Sequence, residues 1–230
     1  TDVLVNARQS DRYADCTVID VFGLPELCAI EERADTLIIG AGVTHAQLEQ
    51  SPLVRQYAKV LADACATVGS PQIRSHATIG GNLANASPAA DSLAALAVLD
   101  AHVTVDRLGE TRSLALAELI EGSYRTTLSD RDILTQIRIK KLPAGTRTDF
   151  TKVGRRKALS ISRMTIATVL RLDASGVVTH FAMTMGATFP QPLVFPEIHA
   201  LLIGKRPQKE DIEQVAARLS EQIPKIAGIR

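Results

Sequence analysis

Residues 69–99 read GSPQIRSHATIGGNLANASPAADSLAALAVL and end in an alanine- and leucine-rich helix that we expect to be buried. A glycine pair, Gly80 and Gly81, stands at the centre, and without a Cβ the backbone there can approach a ligand closely. Ser87 is a favourable N-cap and Pro88 suits the first helical position, so we predict that the helix begins there. A bend with free backbone amides beside a helix N-terminus is suited to a phosphate or pyrophosphate.

The same segment also has a purely structural interpretation. Glycine pairs are common in turns, and Asp91 in the first turn of a helix can simply complement the helix dipole. Two features favour a ligand: the hydroxyls of Thr78 and Ser87 flank the glycines, and uncapped amides are expected at two places. In that case Asp91 would accept a hydrogen bond from a ribose or an adenine. The spacing alone leaves both interpretations open.

The composition is that of a chain with balanced charge. Its 230 residues include 26 Lys and Arg against 25 Asp and Glu, which argues against a nucleic-acid surface. No apolar run is long enough to span a bilayer and no signal peptide is visible. Because the cysteines are odd in number and widely spaced, we expect a reducing, cytoplasmic setting. The three cysteines and five histidines lack the spacing of a metal site or a disulfide framework. Since no pair of carboxylates suggests acid–base chemistry, a bound cofactor would have to carry any reaction.

Local patterns predict a mixture of strands and helices with one boundary. The sequence LPAG at 142–145 interrupts the pattern, so we divide the chain into domains 1–145 and 146–230. Thr44 and Gln47 form a capping-box pattern, which predicts a helix start. Strands are predicted at 3–6, 17–21, 28–30, 36–39, 101–106, 111–114, 133–140, 164–172 and 177–185, and helices at 196–203 and 208–223.

A basic cluster follows the boundary, at Lys152, Arg155, Arg156 and Lys157. Charge runs of this kind usually form a solvated face. The alternative is that one cation contacts a flavin carbonyl or a phosphate, or that the cluster faces a partner. We predict a mixed arrangement, with Lys152 pointing inward and the arginines outward.

Five motifs carry a resemblance to a known family. They are GAGVT at 40–44, GSPQIR at 69–74, ATIGGN at 77–82, ASPAAD at 86–91 and KVGRR at 152–156. Together they resemble the FAD-binding medium subunit of the molybdenum hydroxylases, the family that includes the flavin subunits of xanthine dehydrogenase and carbon monoxide dehydrogenase. The resemblance extends over essentially the whole chain.

The resemblance implies an α+β fold. Residues 1–145 would form a two-lobed FAD-binding domain of the vanillyl-alcohol-oxidase (PCMH) type. Residues 146–230 would form a domain like the C-terminal domain of CO dehydrogenase flavoproteins, with a three-stranded antiparallel sheet and helices. The chain matches the family from just after the glycines of its first pyrophosphate loop. We therefore expect an incomplete N-terminal lobe and a C-terminus that stops before the family's last helix, and whether such a chain retains FAD stays open.

The resemblance also implies a cofactor and the residues that bind it. FAD would lie with its pyrophosphate between two glycine-containing loops, the second being 78–82, while molybdopterin and iron–sulfur clusters belong to partner subunits. Asp91 would reach the ribose or adenine side, and Leu134 and Lys152 would contact the flavin. The residues expected at FAD are Thr1, Asp2, Val3, Val68, Thr78, Ile79, Gly80, Gly81, Asn82, Ser87, Asp91, Leu134 and Lys152. None is expected to be catalytic or to bind a metal.

The implied function is electron transfer. A large molybdopterin-binding subunit would oxidise the substrate, a small iron–sulfur subunit would pass the electrons to FAD on this chain, and FAD would deliver them to NAD or another acceptor. Three alternatives remain: a flavin-free scaffold subunit of such a complex, a free-standing FAD oxidoreductase, and a nucleotide-binding protein without a redox role. Neither nucleic acid nor a membrane span is expected.

Overall fold

The computed structural model describes residues 1–10, 15–156 and 159–227, so Lys157 of the basic cluster lies outside the described residues. Within them the helices are α1 Asp2–Gln9, α2 His45–Gln50, α3 Pro52–Tyr57, α4 Lys59–Ala66, α5 Pro71–His76, α6 Ile79–Asn85, α7 Asp91–Val98, α8 Leu116–Leu119, α9 Pro196–His199 and α10 Lys209–Ile226. The strands are β1 Ile30–Arg33, β2 Thr36–Gly40, β3 His102–Arg107, β4 Glu110–Ala115, β5 Ile120–Gly122, β6 Arg125–Thr126, β7 Ile133–Lys140, β8 Arg147–Gly154, β9 Ser162–Leu172 and β10 Val178–Gly186.

The first sheet has five antiparallel strands in the order β1-β2-β7-β3-β4. Strand β7 lies at its centre, and Leu134, Ile137 and Ile139 of this strand are buried. Helix α6 packs on β7, which brings the glycine-rich segment to this sheet. The predicted strand at 133–140 and the hairpin of β3 and β4 are confirmed.

The second sheet is antiparallel with the order β10-β9-β8, which confirms the three-stranded sheet that the resemblance implies. One face packs on helices α4 and α7, where Ala167 and Val169 join the main core. On the other face Phe181 shares a second core with Val215 and Leu219 of α10. The sheet is therefore covered on both sides, and β8 lies beside α4.

The first forty residues differ from the prediction. Residues 3–6 lie in helix α1 rather than in a strand, and residues 17–21 form no strand in the described chain. Val18 and Ile19 remain 71% and 80% exposed. β-branched residues favour a strand only when they pair with a neighbouring strand, and residues 17–21 do not join the free edge of β1. The hairpin predicted from 28–30 and 36–39 exists, but β1 begins at Ile30 and includes residues predicted to turn.

Asp132 directly precedes β7 and connects the start of this strand to β3 and β4 through hydrogen bonds. Its buried carboxylate accepts hydrogen bonds from Arg107 Nε at 2.9 Å, Arg112 Nη2 at 2.8 Å and the Ser129 amide at 2.7 Å. The Arg107 guanidinium first, and then the Ser129 amide, hold the pKa of Asp132 well below its usual range. The charged form of Asp132 is therefore the one that stabilises this corner of the sheet.

Removal of this charge should change the acid sensitivity of the fold. The unfolded chain protonates Asp132 near its ordinary pKa of 3.8, and the folded chain does so only at lower pH. The stabilisation is thus present above about pH 4 and is lost as the pH falls further. We expect D132N to be less stable than the wild type at about pH 7 and to lose less stability on acidification, as measured by urea unfolding. The exposed neighbour variant D130N should keep the wild-type slope, and parallel curves for all three proteins would contradict the prediction.

Candidate functional site

Helix α6 begins within the segment that was predicted to be a free bend. Thr78 is its N-cap, and the Thr78 hydroxyl accepts a hydrogen bond from the Gly81 amide at 3.1 Å. The amides of Ile79 and Gly80 donate to carbonyls of the loop 41–43, at 2.9 and 2.8 Å. The prediction of free amides is therefore wrong, because the cap and the loop 41–43 already use them.

The two glycines have different environments. Gly80 is buried, and a Cβ there would lie 2.6 Å from the Ala41 Cβ and 2.7 Å from the Ala41 carbonyl oxygen. Gly80 thus lets α6 pack closely against the loop 41–43. Gly81 is exposed, and among the described atoms a Cβ there would contact only the Thr78 hydroxyl, at 3.0 Å. Gly81 is therefore the glycine of the pair at which a ligand can approach.

Helix α7 begins at Asp91 rather than at Pro88. Helix α6 ends at Ala86, whose φ of 47° is left-handed, and residues 87–90 then connect the two helices. Ser87 is not an N-cap, and its hydroxyl lies 3.4 Å from the Tyr124 hydroxyl. The predicted start is wrong because the left-handed turn delays the new helix, and Asp91 therefore occupies its first position.

A buried polar cluster joins α7 to the second sheet. The Asp91 carboxylate accepts hydrogen bonds from Lys152 Nζ at 2.6 Å, the Thr67 hydroxyl at 3.0 Å and the Ser162 hydroxyl at 2.5 Å. Lys152 Nζ also donates to the Thr67 carbonyl at 2.9 Å. The side chains of Asp91 and Lys152 are 4% and 15% exposed. Lys152 therefore points inward as predicted, and its ammonium is fixed by the Asp91 carboxylate and the Thr67 carbonyl.

The rest of the basic cluster faces solvent. Arg155 and Arg156 are exposed, as predicted. The Arg156 guanidinium donates to the Leu159 carbonyl, at 3.1 Å from Nε and 2.6 Å from Nη2. Only Lys152 of the described members of this cluster therefore belongs to the buried site.

One hydrogen bond connects the start of α6 to the polar cluster. The Ser92 hydroxyl donates to the Asn82 side-chain oxygen, and Ser92 directly follows Asp91. The chain Gly81–Asn82–Ser92–Asp91–Lys152 is thus continuous through covalent neighbours and hydrogen bonds. We call these five residues the Gly81–Lys152 strip.

Two further predicted residues lie near the elements that carry the strip. The Val68 carbonyl accepts a hydrogen bond from Arg74 Nη1 at 3.2 Å. The Glu49 carboxylate accepts another from Arg74 Nε at 2.9 Å. Leu134 is 8% exposed on β7, the strand on which α6 packs. Val68 directly follows Thr67 of the polar cluster, and Leu134 lies on the strand against which α6 packs. Val68 and Leu134 are therefore both close in the fold to elements that carry the strip.

Residues 1–3 are not brought to the strip by any contact that the described ranges show. Thr1 is the N-cap of α1, and Asp2 and Val3 form the first turn of this helix. The Thr1 carbonyl accepts a hydrogen bond from the Val5 amide at 3.3 Å, which is within the same turn. Helix α1 has no buried residue.

His45 and Cys65 form a buried contact that was not predicted from the sequence. His45 Nδ1 lies 3.4 Å from Cys65 Sγ, and within the described chain His45 Nε2 is buried without a partner. Burial, and secondarily the charge of Arg74, lowers the pKa of His45 to about 4, and burial raises the pKa of Cys65. Both groups are therefore neutral at neutral pH and act as core residues. The capping box of α2 placed His45 on a helix, but no signal linked this residue to Cys65, twenty positions along the chain.

The neutral His45 should make the fold sensitive to mild acid. Between pH 6.5 and pH 4 the unfolded chain protonates this histidine and the folded chain does not. Stability should therefore fall across this window, by about 3 kcal/mol from this residue. H45Q cannot titrate, so the urea-unfolding free energies of wild type and H45Q should differ in slope between these pH values. Equal slopes would show that His45 titrates normally in the folded protein.

A cavity beside α2 is separate from the strip. It has a volume of about 390 Å³ and is lined by residues that include Phe22, Cys28, Gly42 and Gln47, with none of the residues predicted to bind FAD. In the described ranges no group of three or more His, Cys, Asp or Glu side chains could hold a metal ion. No helix of those ranges combines the length and apolar character needed to cross a bilayer.

Comparison with known protein families identifies the fold. The family model described as "FAD binding domain in molybdopterin dehydrogenase" matches residues 1–141. The chain belongs to this family. A second model, described as "CO dehydrogenase flavoprotein C-terminal domain", matches residues 149–228. Because the main core includes Ala167 and Val169 from beyond residue 145, the domain boundary at 145 stays a prediction.

Relatives and solved structures of this family align with most of the chain. The nicotinate dehydrogenase FAD-subunit of Eubacterium barkeri is 32% identical over 233 residues, covering 100% of this chain and 78% of the relative. The carbon monoxide dehydrogenase medium chain of Hydrogenophaga pseudoflava is 28% identical over 199 residues, covering 86% and 69%. The structure of quinoline 2-oxidoreductase from Pseudomonas putida 86 superposes with a TM-score of 0.79 at 26% identity, covering 85% of this chain and 67% of that one.

The molybdopterin dehydrogenase family assignment confirms three predictions. The chain is an FAD-binding medium subunit of the molybdenum hydroxylase family, its fold is the one that the resemblance implied, and its cofactor is FAD. The strip and the neighbouring strand β7 offer groups that can contact FAD: the exposed Gly81, the mostly buried Lys152 ammonium and the apolar side chain of Leu134. The residues present therefore fit FAD.

Proposed function

We propose that FAD lies along the Gly81–Lys152 strip, with its diphosphate near Gly81 and its flavin ring near Lys152. The observation that carries the proposal is the Lys152 ammonium, a mostly buried cation that is linked to the exposed start of α6 through Asp91, Ser92 and Asn82. A fixed cation beside a redox ring is a means by which a protein tunes a flavin.

Each predicted residue then has a defined task in this proposal. Thr78, Gly81 and Asn82 contact the diphosphate. Ile79 and Gly80 do not contact it but fix the start of α6, because the amides of Ile79 and Gly80 donate hydrogen bonds to the loop 41–43. The remaining assignments are Ser87 beside the diphosphate, Val68 on the adenine or ring side, Leu134 against the flavin, and Thr1, Asp2 and Val3 on the far side of the diphosphate.

Asp91 takes a different task from the one that the sequence analysis assigned. Its carboxylate is 4% exposed and already accepts hydrogen bonds from Lys152 and Ser162, so a ribose hydroxyl has little access to it. We propose that Asp91 positions the Lys152 ammonium. Bound FAD supplies the electron-accepting chemistry, and Lys152 offsets the negative charge that reduction adds to the ring.

The wider role that we propose is electron transfer between subunits. A small iron–sulfur subunit would deliver electrons to FAD on this chain, and a large molybdopterin subunit would oxidise the substrate. The names of the relatives, a "medium chain" and an "FAD-subunit", support a place in such a complex. NAD or another acceptor would take the electrons from this chain.

Assembly of the whole complex tests this role. We expect the full-length protein, co-purified with its partner subunits, to carry a flavin that bleaches when the substrate of the complex is added anaerobically. Subsequent addition of NAD, or of another candidate acceptor, should restore the flavin absorbance. A colourless protein that still assembles would favour the scaffold alternative, and substrate turnover by the isolated chain would favour a free-standing oxidoreductase.

A further inference from the structure

We propose that the cavity at the junction of α3, α4 and β8 binds a phosphate group. The cavity has a volume of about 340 Å³ and is lined by residues 142–148 together with Arg55, Gln56 and Lys59. None of the residues that we assign to FAD lines it. The phosphate proposal and the FAD proposal can therefore fail independently.

The lining of this cavity has an excess of positive charge. It contains Arg55, Lys59 and Arg147 and no acidic residue. Asp63 pairs with Lys59 at 2.5 Å, whereas within the described part of the chain neither arginine has a carboxylate within 4.0 Å. Two guanidinium groups are thus left to bind an anion, and their planar donors match the oxygens of a phosphate.

A buried hydroxyl on the same wall also lacks a partner. Thr148 Oγ1 is buried and has no hydrogen bond in the described chain. Buried polar groups are nearly always satisfied, so the Thr148 hydroxyl is an exception among the described residues. Its oxygen is closed off from solvent, so the charged side chains of the lining are the groups that would contact an anion. The neighbouring Thr146 hydroxyl is already used, because it donates to the Pro143 carbonyl at 2.7 Å and fixes the turn that lines the cavity.

The cavity is large enough for a phosphate group. A volume of 340 Å³ corresponds to roughly ten water molecules, which leaves room for a phosphate and part of a molecule that carries it.

The position of the cavity has a consequence for the stability of the protein. Arg55 and Lys59 precede the LPAG segment and Arg147 follows it, so a bound phosphate would link the two parts of the chain and raise the unfolding temperature.

Phosphate titration of the full chain tests the proposal. Inorganic phosphate should raise the unfolding temperature of the wild type at constant ionic strength, and calorimetry should give a saturable binding curve. R55A and R147A should each weaken binding by about tenfold to a hundredfold, because each removes a charge-assisted contact. R147K should be intermediate, since a lysine keeps the charge but loses the paired donors. R218A removes an exposed arginine of α10, outside the cavity, and should bind like the wild type.

The source of the phosphate is distinguished by comparing inorganic phosphate with ribose 5-phosphate. Tighter binding of the sugar phosphate would identify a carried phosphate group, and equal binding would identify the free ion. Either result supports the site if R147A weakens the binding of that probe by about tenfold or more. Failure of the wild type to bind either probe, or equal affinities for R147A and R218A, would overturn the proposal.

Discussion

Valine in place of Gly80 should lower the free energy of unfolding by about 3 kcal/mol and reduce the flavin content of the purified protein. A Cβ at this position would lie 2.6 Å from the Ala41 Cβ, before the two methyl groups of valine are considered. Helix α6 would have to move away from the loop 41–43, which breaks the 2.8 Å hydrogen bond from the Gly80 amide. Urea unfolding and the ratio of flavin to protein measure the two effects.

Alanine in place of Gly81 is the matched control for this prediction. Its Cβ would contact the Thr78 hydroxyl at 3.0 Å, and alanine favours a helix over glycine by about 1 kcal/mol. These effects oppose each other, so stability should stay within about 1 kcal/mol of the wild type. The flavin content should still fall, because the added methyl group lies where we assign the diphosphate. An equal loss of stability in G80V and G81A would show that the two glycines do not have separate roles.

Methionine in place of Lys152 should destabilise the fold by about 3–5 kcal/mol. Lys152 Nζ lies 2.6 Å from the Asp91 carboxylate, which is 4% exposed. Without the ammonium, Asp91 remains a buried charge, and the hydroxyls of Thr67 and Ser162 are the hydrogen-bond donors left to it among the described residues. Urea unfolding of K152M against the wild type measures the loss.

A double variant separates the ion pair from simple loss of packing. In D91N/K152M the buried charge is gone, so we expect at least half of the lost stability to return. K140M, which removes an exposed lysine on β7, should change stability by no more than about 0.5 kcal/mol. If the double variant lost the sum of the two single losses, Asp91 and Lys152 would not be coupled.

The regular elements were accessible from the sequence because their patterns are local. The alternation at 133–140 predicted β7, and the capping box of Thr44 and Gln47 predicted α2, whose reciprocal hydrogen bonds measure 3.2 and 2.8 Å. The hairpin of β9 and β10 followed from two apolar runs around a short turn. The strand predicted at 3–6 failed because α1 meets no sheet edge, which local composition cannot reveal.

The contacts that build the candidate site were not accessible in the same way. Asp91 and Lys152 are 61 positions apart, and only the fold shows that they bond each other. The glycine pair suggested free amides, but the loop 41–43 that occupies two of them lies far earlier in the chain. The resemblance to a family named the residues near FAD, whereas the division of tasks between Gly80 and Gly81 required the packing around Ala41.

A crystal structure of the flavin-loaded protein, in complex with its partner subunits, tests the central claim most directly. We expect the diphosphate beside Gly81 and Asn82, the flavin ring against Leu134, and the Lys152 ammonium within hydrogen-bond distance of the ring while still bonded to Asp91. FAD bound in the cavity lined by Phe22 and Cys28, with no contact to Lys152, would contradict the account.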